Sequence, residues 1–235
     1  MRCIGLIGGT SWESTAVYYR LLNEGVRARL GGLHSARLVL VSVDFAPLAD
    51  AMADGRWDVV TAILVEAAGR LEAAGAEIVG LCTNTMHKVA DALATPLPFA
   101  DIRDCTGDAL AARGVRRPLL LATSYTMEQP FYRQHLAERS GAVVCLPDPD
   151  ARTRLQAIIF DELCRGVVSP ASKAKVLAMV AAAEGCDSVI LGCTEIGLLL
   201  SPADIPVPVF DTTVLHCEAL LDFALAETPV TSIAA

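Results

Sequence analysis

Aromatic residues make up only 5% of the 235-residue chain, and lysine is scarcer still, with Lys88, Lys173 and Lys175 the full set. A core with so few rings must be filled by Ala, Val, Leu and Ile, which suits parallel strands buried between helices. None of the three lysines follows an apolar strand-like run, so a Schiff-base pyridoxal mechanism is not expected. The four histidines (34, 87, 135 and 216) show no ligand spacing, and no metal site is expected. The eight cysteines are scattered, with no Cys-x-x-Cys pair, so the chain reads as reduced and cytoplasmic. No apolar run reaches the roughly 18 residues that cross a bilayer. The opening Met1–Gly9 is too short and too glycine-rich for a signal peptide. A net charge of −8 without clustered Lys and Arg argues against nucleic acid as a partner.

What is present is an alternation of apolar runs and amphipathic stretches. Residues 3–9 predict a buried strand ending in a glycine turn, with Thr10 and Ser11 as caps of the next helix. Val17, Tyr18, Leu21, Leu22 and Val26 recur at helical spacing, and Gly31-Gly32 ends that helix. Residues 37–43 predict a second strand, 44–47 a loop and 58–74 a helix. Asn84 to Ala94 then predicts another helix. Beyond a junction near 96–117, rich in proline, glycine and charge, the pattern restarts. Strands are expected at 117–121 and 141–146, helices at 128–140, 151–165 and 171–184, and a terminal helix over 214–226. The tail from Pro229 is expected to fray. Such alternation implies right-handed crossovers and parallel sheets.

Two stretches share one design: Gly75-Ala-Glu-Ile-Val-Gly-Leu-Cys82-Thr83-Asn84-Thr85-Met-His87 and Gly185-Cys-Asp-Ser-Val-Ile-Leu-Gly-Cys193-Thr194-Glu195. Ile7 to Cys82 and Leu121 to Cys193 span nearly equal lengths, which points to an internal duplication. Sites in parallel α/β sheets form beyond the carboxyl ends of strands, where both cysteines are expected. A helix start there would favour thiolate, and its N–H groups with Thr83, Asn84, Thr85 and Thr194 would hold a carboxylate. Two thiols on opposite faces of one substrate permit stereoinversion without a cofactor. Cys3, Cys145, Cys164 and Cys217 read as ordinary buried cysteines. His87 reads equally as a substrate contact or a helix-face histidine, and Glu195 as a ligand for a substrate ammonium, a tuner of Cys193 or a helix cap.

These motifs, with Ile4-Gly-Leu-Ile-Gly-Gly-Thr-Ser-Trp-Glu-Ser-Thr15, Gly31-Gly-Leu-His-Ser35, Tyr125-Thr-Met-Glu128 and Pro208-Val-Phe-Asp-Thr-Thr213, resemble the aspartate/glutamate racemase family over almost the whole chain. The likeness is to the branch of broad-specificity amino-acid or aspartate racemases. It implies a cofactor-independent amino-acid racemase of two similar α/β lobes related by a pseudo-twofold, with the site between them, usually as a homodimer. Residues 1–100 with about 210–235 would form the first lobe and 101–209 the second. The resemblance implies Cys82 and Cys193 as the catalytic pair. It implies substrate contacts at Gly9, Thr10, Ser11, Thr83, Asn84, Thr85, Thr123, Ser124 and Thr194, with Lys173 a match for a basic substrate residue. Glu195 stands where glutamate racemases carry histidine, and the loop Asp44–Pro47 lacks the arginine of archaeal aspartate racemases. The alternatives are a hydantoin racemase or maleate-type isomerase on the same scaffold, or a binding protein without catalysis. Family decarboxylases keep one cysteine, so two disfavour that activity.

Overall fold

The computed structural model describes residues 1–226 and contains two parallel sheets, each between helices. The tail from Pro229 lies outside the described residues. The first sheet runs in the order β2-β1-β3-β4, from β1 (Ile4–Gly8), β2 (Leu38–Ser42), β3 (Ile78–Leu81) and β4 (Phe99–Ala100). Helices α1 (Trp12–Leu30), α2 (Phe45–Ala53) and α3 (Trp57–Ala73) belong to it, as does a 3-10 helix at Thr85–Ala92. Strands β1 and β3 are buried along their whole length, whereas the edge strand β2 is half exposed. That is why 4–8 and 78–81 read as continuous apolar runs.

The second sheet runs β5-β6-β7, from β5 (Pro118–Leu121), β6 (Ser188–Leu191) and β7 (Val209–Asp211). Around it lie α4 (Ile102–Ala112), α5 (Ser124–Glu128), α6 (Pro130–Ser140), α7 (Pro149–Ala157), α8 (Pro170–Ala182) and α9 (Ile196–Leu199). A single core joins Ile102, Leu110, Leu119, Leu120, Leu121, Tyr132, Leu136, Leu155 and Val176. Each such side chain contributes about 1.5–3 kcal/mol by leaving water. The last helix, α10 (Thr212–Leu225), leaves β7 and crosses back to the first sheet. Its Cys217, Leu220, Leu221 and Ala224 pack with Ile4, Leu6, Tyr18 and Leu22, and Ala224 carbonyl accepts from Arg2 N–H at 2.8 Å.

Four expectations are corrected. The loop at 44–47 is the start of α2: Asp44 caps Ala46 N–H at 3.3 Å, and Pro47 sits in the first turn, where a missing N–H costs nothing. The strand at 141–146 shrinks to one bridge, Leu119 to Cys145, because Val143 faces solvent and Pro147 ends the pairing. Pro130 divides the helix expected over 128–140 into α5 and α6. The helix over 151–165 relaxes after Ala157 into a π turn at Ile158–Glu162 and a 3-10 turn at Leu163–Arg165. No helix of the described residues is long and apolar enough to cross a membrane.

Candidate active site

The two sheets are matched by register at their carboxyl ends. Ile7 of β1 pairs with Leu81 of β3, as Leu121 of β5 pairs with Leu191 of β6. One residue later, Cys82 N–H donates to the Ile7 carbonyl at 2.9 Å and Gly192 N–H donates to the Leu121 carbonyl at 2.8 Å. Cys82 is therefore the counterpart of Gly192, and Thr83 is the counterpart of Cys193. The expected pairing of Cys82 with Cys193 is out by one residue. A side chain at Gly192 is forbidden, since a Cβ there would lie 2.6 Å from Leu120 Cδ1.

That offset decides where each thiol points. Cys82 has no exposed surface and belongs to the apolar cluster of Ile4, Leu6, Tyr18, Leu22 and Cys217, away from the cleft. Cys193 and Thr83 both line the cleft between the sheets, with Thr10, Asn84, Thr85, Thr123, Thr194 and Glu195. Its remaining wall is Phe45, Met52, Met86, Ile159, Phe160, Cys164 and Gly192. Cys164, expected to be an ordinary structural cysteine, is thus a cleft residue. The Phe45 and Phe160 rings stack 6.4 Å apart, one from α2 and one from the π turn. The cavity left beneath is about 30 Å³. It is water-sized.

Neither thiol gains the expected activation from a helix start. The turn after Cys82 enters a 3-10 helix at Thr85, and α9 has a single turn, so neither carries a strong dipole. Burial pushes both thiols well above their ordinary value, and at Cys193 the Glu195 carboxylate adds to the effect, followed by Cys164. Glu195 is only 4% exposed and accepts three hydrogens. Cys193 Sγ–H donates to Oε2 at 2.9 Å, Thr194 Oγ1–H to Oε2 at 2.7 Å, and Ser14 Oγ–H to Oε1 at 2.6 Å. It makes no cap to α9, which removes that reading. Ser14, from α1, is a site residue that the sequence signals only by its three-residue spacing from the cap Ser11.

The opening turn is held under strain. Gly9 has φ +86° and lies where a Cβ would strike the Val43 carbonyl at 2.1 Å, so no other residue fits. Ser11 has φ 80°, the one positive value for a non-glycine among the described residues. Its hydroxyl caps Ser14 N–H at 3.2 Å and meets Ser14 Oγ at 3.1 Å. Such strain, roughly 1–3 kcal/mol, persists when neighbours over-determine the conformation. Gly9 and Ser11 thus shape the turn, while Thr10 alone of the three lines the cleft.

Across the cleft Thr85 Oγ1 meets Thr123 Oγ1 at 2.9 Å, tying the two halves together. Asn84 accepts from Tyr132 OH at 2.7 Å and donates to Thr212 Oγ1 at 3.0 Å, leaving one amide hydrogen for a ligand. Three expected contacts lie elsewhere. His87 is fully buried; its Nδ1–H donates to the Thr83 carbonyl at 2.7 Å and its Nε2 accepts from Ile102 N–H at 3.2 Å. Burial holds it neutral, its pKa lowered to about 4. Ser124 is outside the cleft, its N–H bound to Gln156 Oε1 at 2.8 Å. Lys173 pairs with Asp204 at 2.8 Å on the surface.

The two parallel sheets thus present Cys193 at one strand end and Thr83 at the matched one, both lining a single cleft. The family model for Asp/Glu/hydantoin racemases matches residues 7–220, and the chain belongs to that family. It is 46% identical to a candidate Asp/Glu racemase from Yersinia pestis, covering 96% of this chain and 100% of that one at a TM-score of 0.87. It is 34% identical to an aspartate racemase homologue from Pyrococcus horikoshii, covering 95% and 99% at a TM-score of 0.82. Glutamate racemase from Francisella tularensis, in complex with D-glutamate, shares the fold at 12% identity and a TM-score of 0.66, over 94% and 80%.

Proposed function

We propose that the chain inverts the α-carbon of a small amino acid without a cofactor, and that Cys193 is the one thiol that exchanges the α-proton. The observation that carries this is the register match: Cys193 and Thr83 occupy equivalent strand ends and line one cleft. In the reaction, the substrate Cα–H bond breaks and its proton passes to Cys193 Sγ. The electron pair spreads onto the carboxylate, which hydroxyls and N–H groups around Thr10, Thr85 and Thr123 stabilise as charge develops. Thr83 relays a proton from water to the opposite face. The same reading takes residues 1–100 with about 210–235, and 101–209, as lobes that open about the cleft, in a cytoplasmic homodimer.

A single thiol at the two matched strand ends, with Cys164 on the wall beside it, also favours a second reading. Family decarboxylases keep one cysteine, so the loss of Cys82 from the cleft removes the reason for setting that activity aside. Both readings are tested in D2O with no added cofactor. The panel comprises L- and D-amino acids, a hydantoin, maleate and a disubstituted malonate, followed by NMR. Deuterium at the α-carbon with inversion supports racemisation. Carbon dioxide from the malonate, with no α-exchange in any amino acid, overturns it in favour of decarboxylation.

A further inference from the structure

We propose that Glu195 is a positioning residue that receives the thiol proton of Cys193, and that Ser14 of the opposite lobe sets its proton affinity. The proposal rests on the reading of Cys193 as the α-proton base. A carbon acid can be deprotonated by sulfur only as thiolate, and a thiolate beside an ionised carboxylate would place two like charges in a buried cleft. The geometry offers a route that creates no second charge. Cys193 Sγ–H points at Glu195 Oε2 at 2.9 Å. The S–H bond breaks, an O–H bond forms on Oε2, and the electron pair stays on sulfur, so one negative charge moves without being added. After turnover Cys193 holds the α-proton as its thiol, and Glu195 gives its proton to the hydroxide that the Thr83 relay leaves in water, which resets the pair.

Ser14 is the control on this exchange. Hydroxyls of Ser14 and Thr194 lie 2.5 Å apart, and each has one hydrogen. Ser14 gives its hydrogen to Oε1 at 2.6 Å and receives from Ser11 at 3.1 Å. The carboxylate is thus stabilised from α1, on the first sheet, while the thiol comes from β6, on the second. When the lobes part to admit substrate, Ser14 withdraws and Glu195 loses one of its three donors. The other titratable groups nearby are Cys164, beside Cys193 and Glu195, and Glu13 of α1, which faces Cys164; the cleft wall holds no Lys or Arg.

The experiment compares the parent with Glu195→Gln, Ser14→Ala and Ser14→Thr. Two rates are followed across pH: α-proton exchange, and alkylation of Cys193 by iodoacetamide read on its own peptide by mass spectrometry. In the parent, both rates are nearly flat around neutral pH, because internal proton transfer does not depend on solvent pH. Glu195→Gln lowers kcat about a hundredfold at neutral pH with KM within about twofold, and its rates climb with pH until the thiol itself ionises. Ser14→Ala moves the acid limb up by about half a pH unit, and Ser14→Thr restores it. A Glu195→Gln variant slowed by one factor at every pH overturns the proposal, since loss of packing has no pH signature. Parent protein that exchanges no α-proton sinks the racemase reading instead. The alkylation profile then still decides whether the Cys193–Glu195 pair exists.

Discussion

The ends of β3 and β6 carry almost the same letters and do different work. At β3 the cysteine comes first and is swallowed by the core, leaving Thr83 at the cleft. At β6 Leu120 forbids any side chain at that position, so Gly192 fills it and the cysteine falls one place later, in the cleft. The two turns are also held differently. His87 pins the Thr83 carbonyl from within the core, whereas Cys193 is held by the Glu195 carboxylate and its hydroxyl partners. A one-residue offset thus converts an apparent pair of thiols into one thiol and one hydroxyl.

The largest effect that tests this contrast is between the two cysteines. Cys193→Ala should reduce α-proton exchange about a thousandfold or more. Cys82→Ala should leave the rate within about twofold and cost about 1 kcal/mol in urea unfolding. Equal loss of activity in both variants would restore the two-thiol pairing. Next, Thr83→Cys places a second thiol at the matched position. A hydroxyl is a much poorer proton carrier than a thiol, so the initial rates for the two enantiomers should converge by about tenfold, measured by polarimetry.

A third test uses the histidine that distinguishes the first turn. His87 and His216 are held neutral by burial, with pKa values lowered to about 4 and about 3. Between those values and the ordinary histidine value, the unfolded chain binds more protons than the folded one. Stability is therefore complete above the ordinary value and falls as pH drops through that window, by about 3 kcal/mol for His87 and about 5 kcal/mol for His216. Urea melts at descending pH should show that loss, and His87→Gln should remove its share. The smallest effect is expected over the cleft. Phe160→Ala removes one ring of the stacked pair and admits water, so exchange without inversion should rise about threefold relative to inversion.

Much of this was legible in the sequence. The buried strands at 4–8 and 78–81, the restart after the junction and the two Cys-Thr turns follow from apolar runs punctuated by glycine, which are local signals. Helix α2 is not legible in the sequence because Asp44-Phe-Ala-Pro is equally a loop and a capped helix start; only packing of Leu48, Ala51 and Met52 selects the helix. Lys173 reads as a match for a basic substrate residue because a charge near a helix start looks the same in sequence whether it meets a substrate or Asp204.

By itself, the sequence determined the fold class and the two strand-end segments with their cysteines, since these depend on periodicity and composition along the chain. The tertiary structure decided which of two like cysteines reaches the cleft and which serine, far away in sequence, touches Glu195. Those outcomes hang on the pairing of β3 with β1, of β6 with β5, and on Leu120 closing over Gly192. Strand side chains alternate between faces, so a shift of a single residue carries a thiol from the core to the cleft.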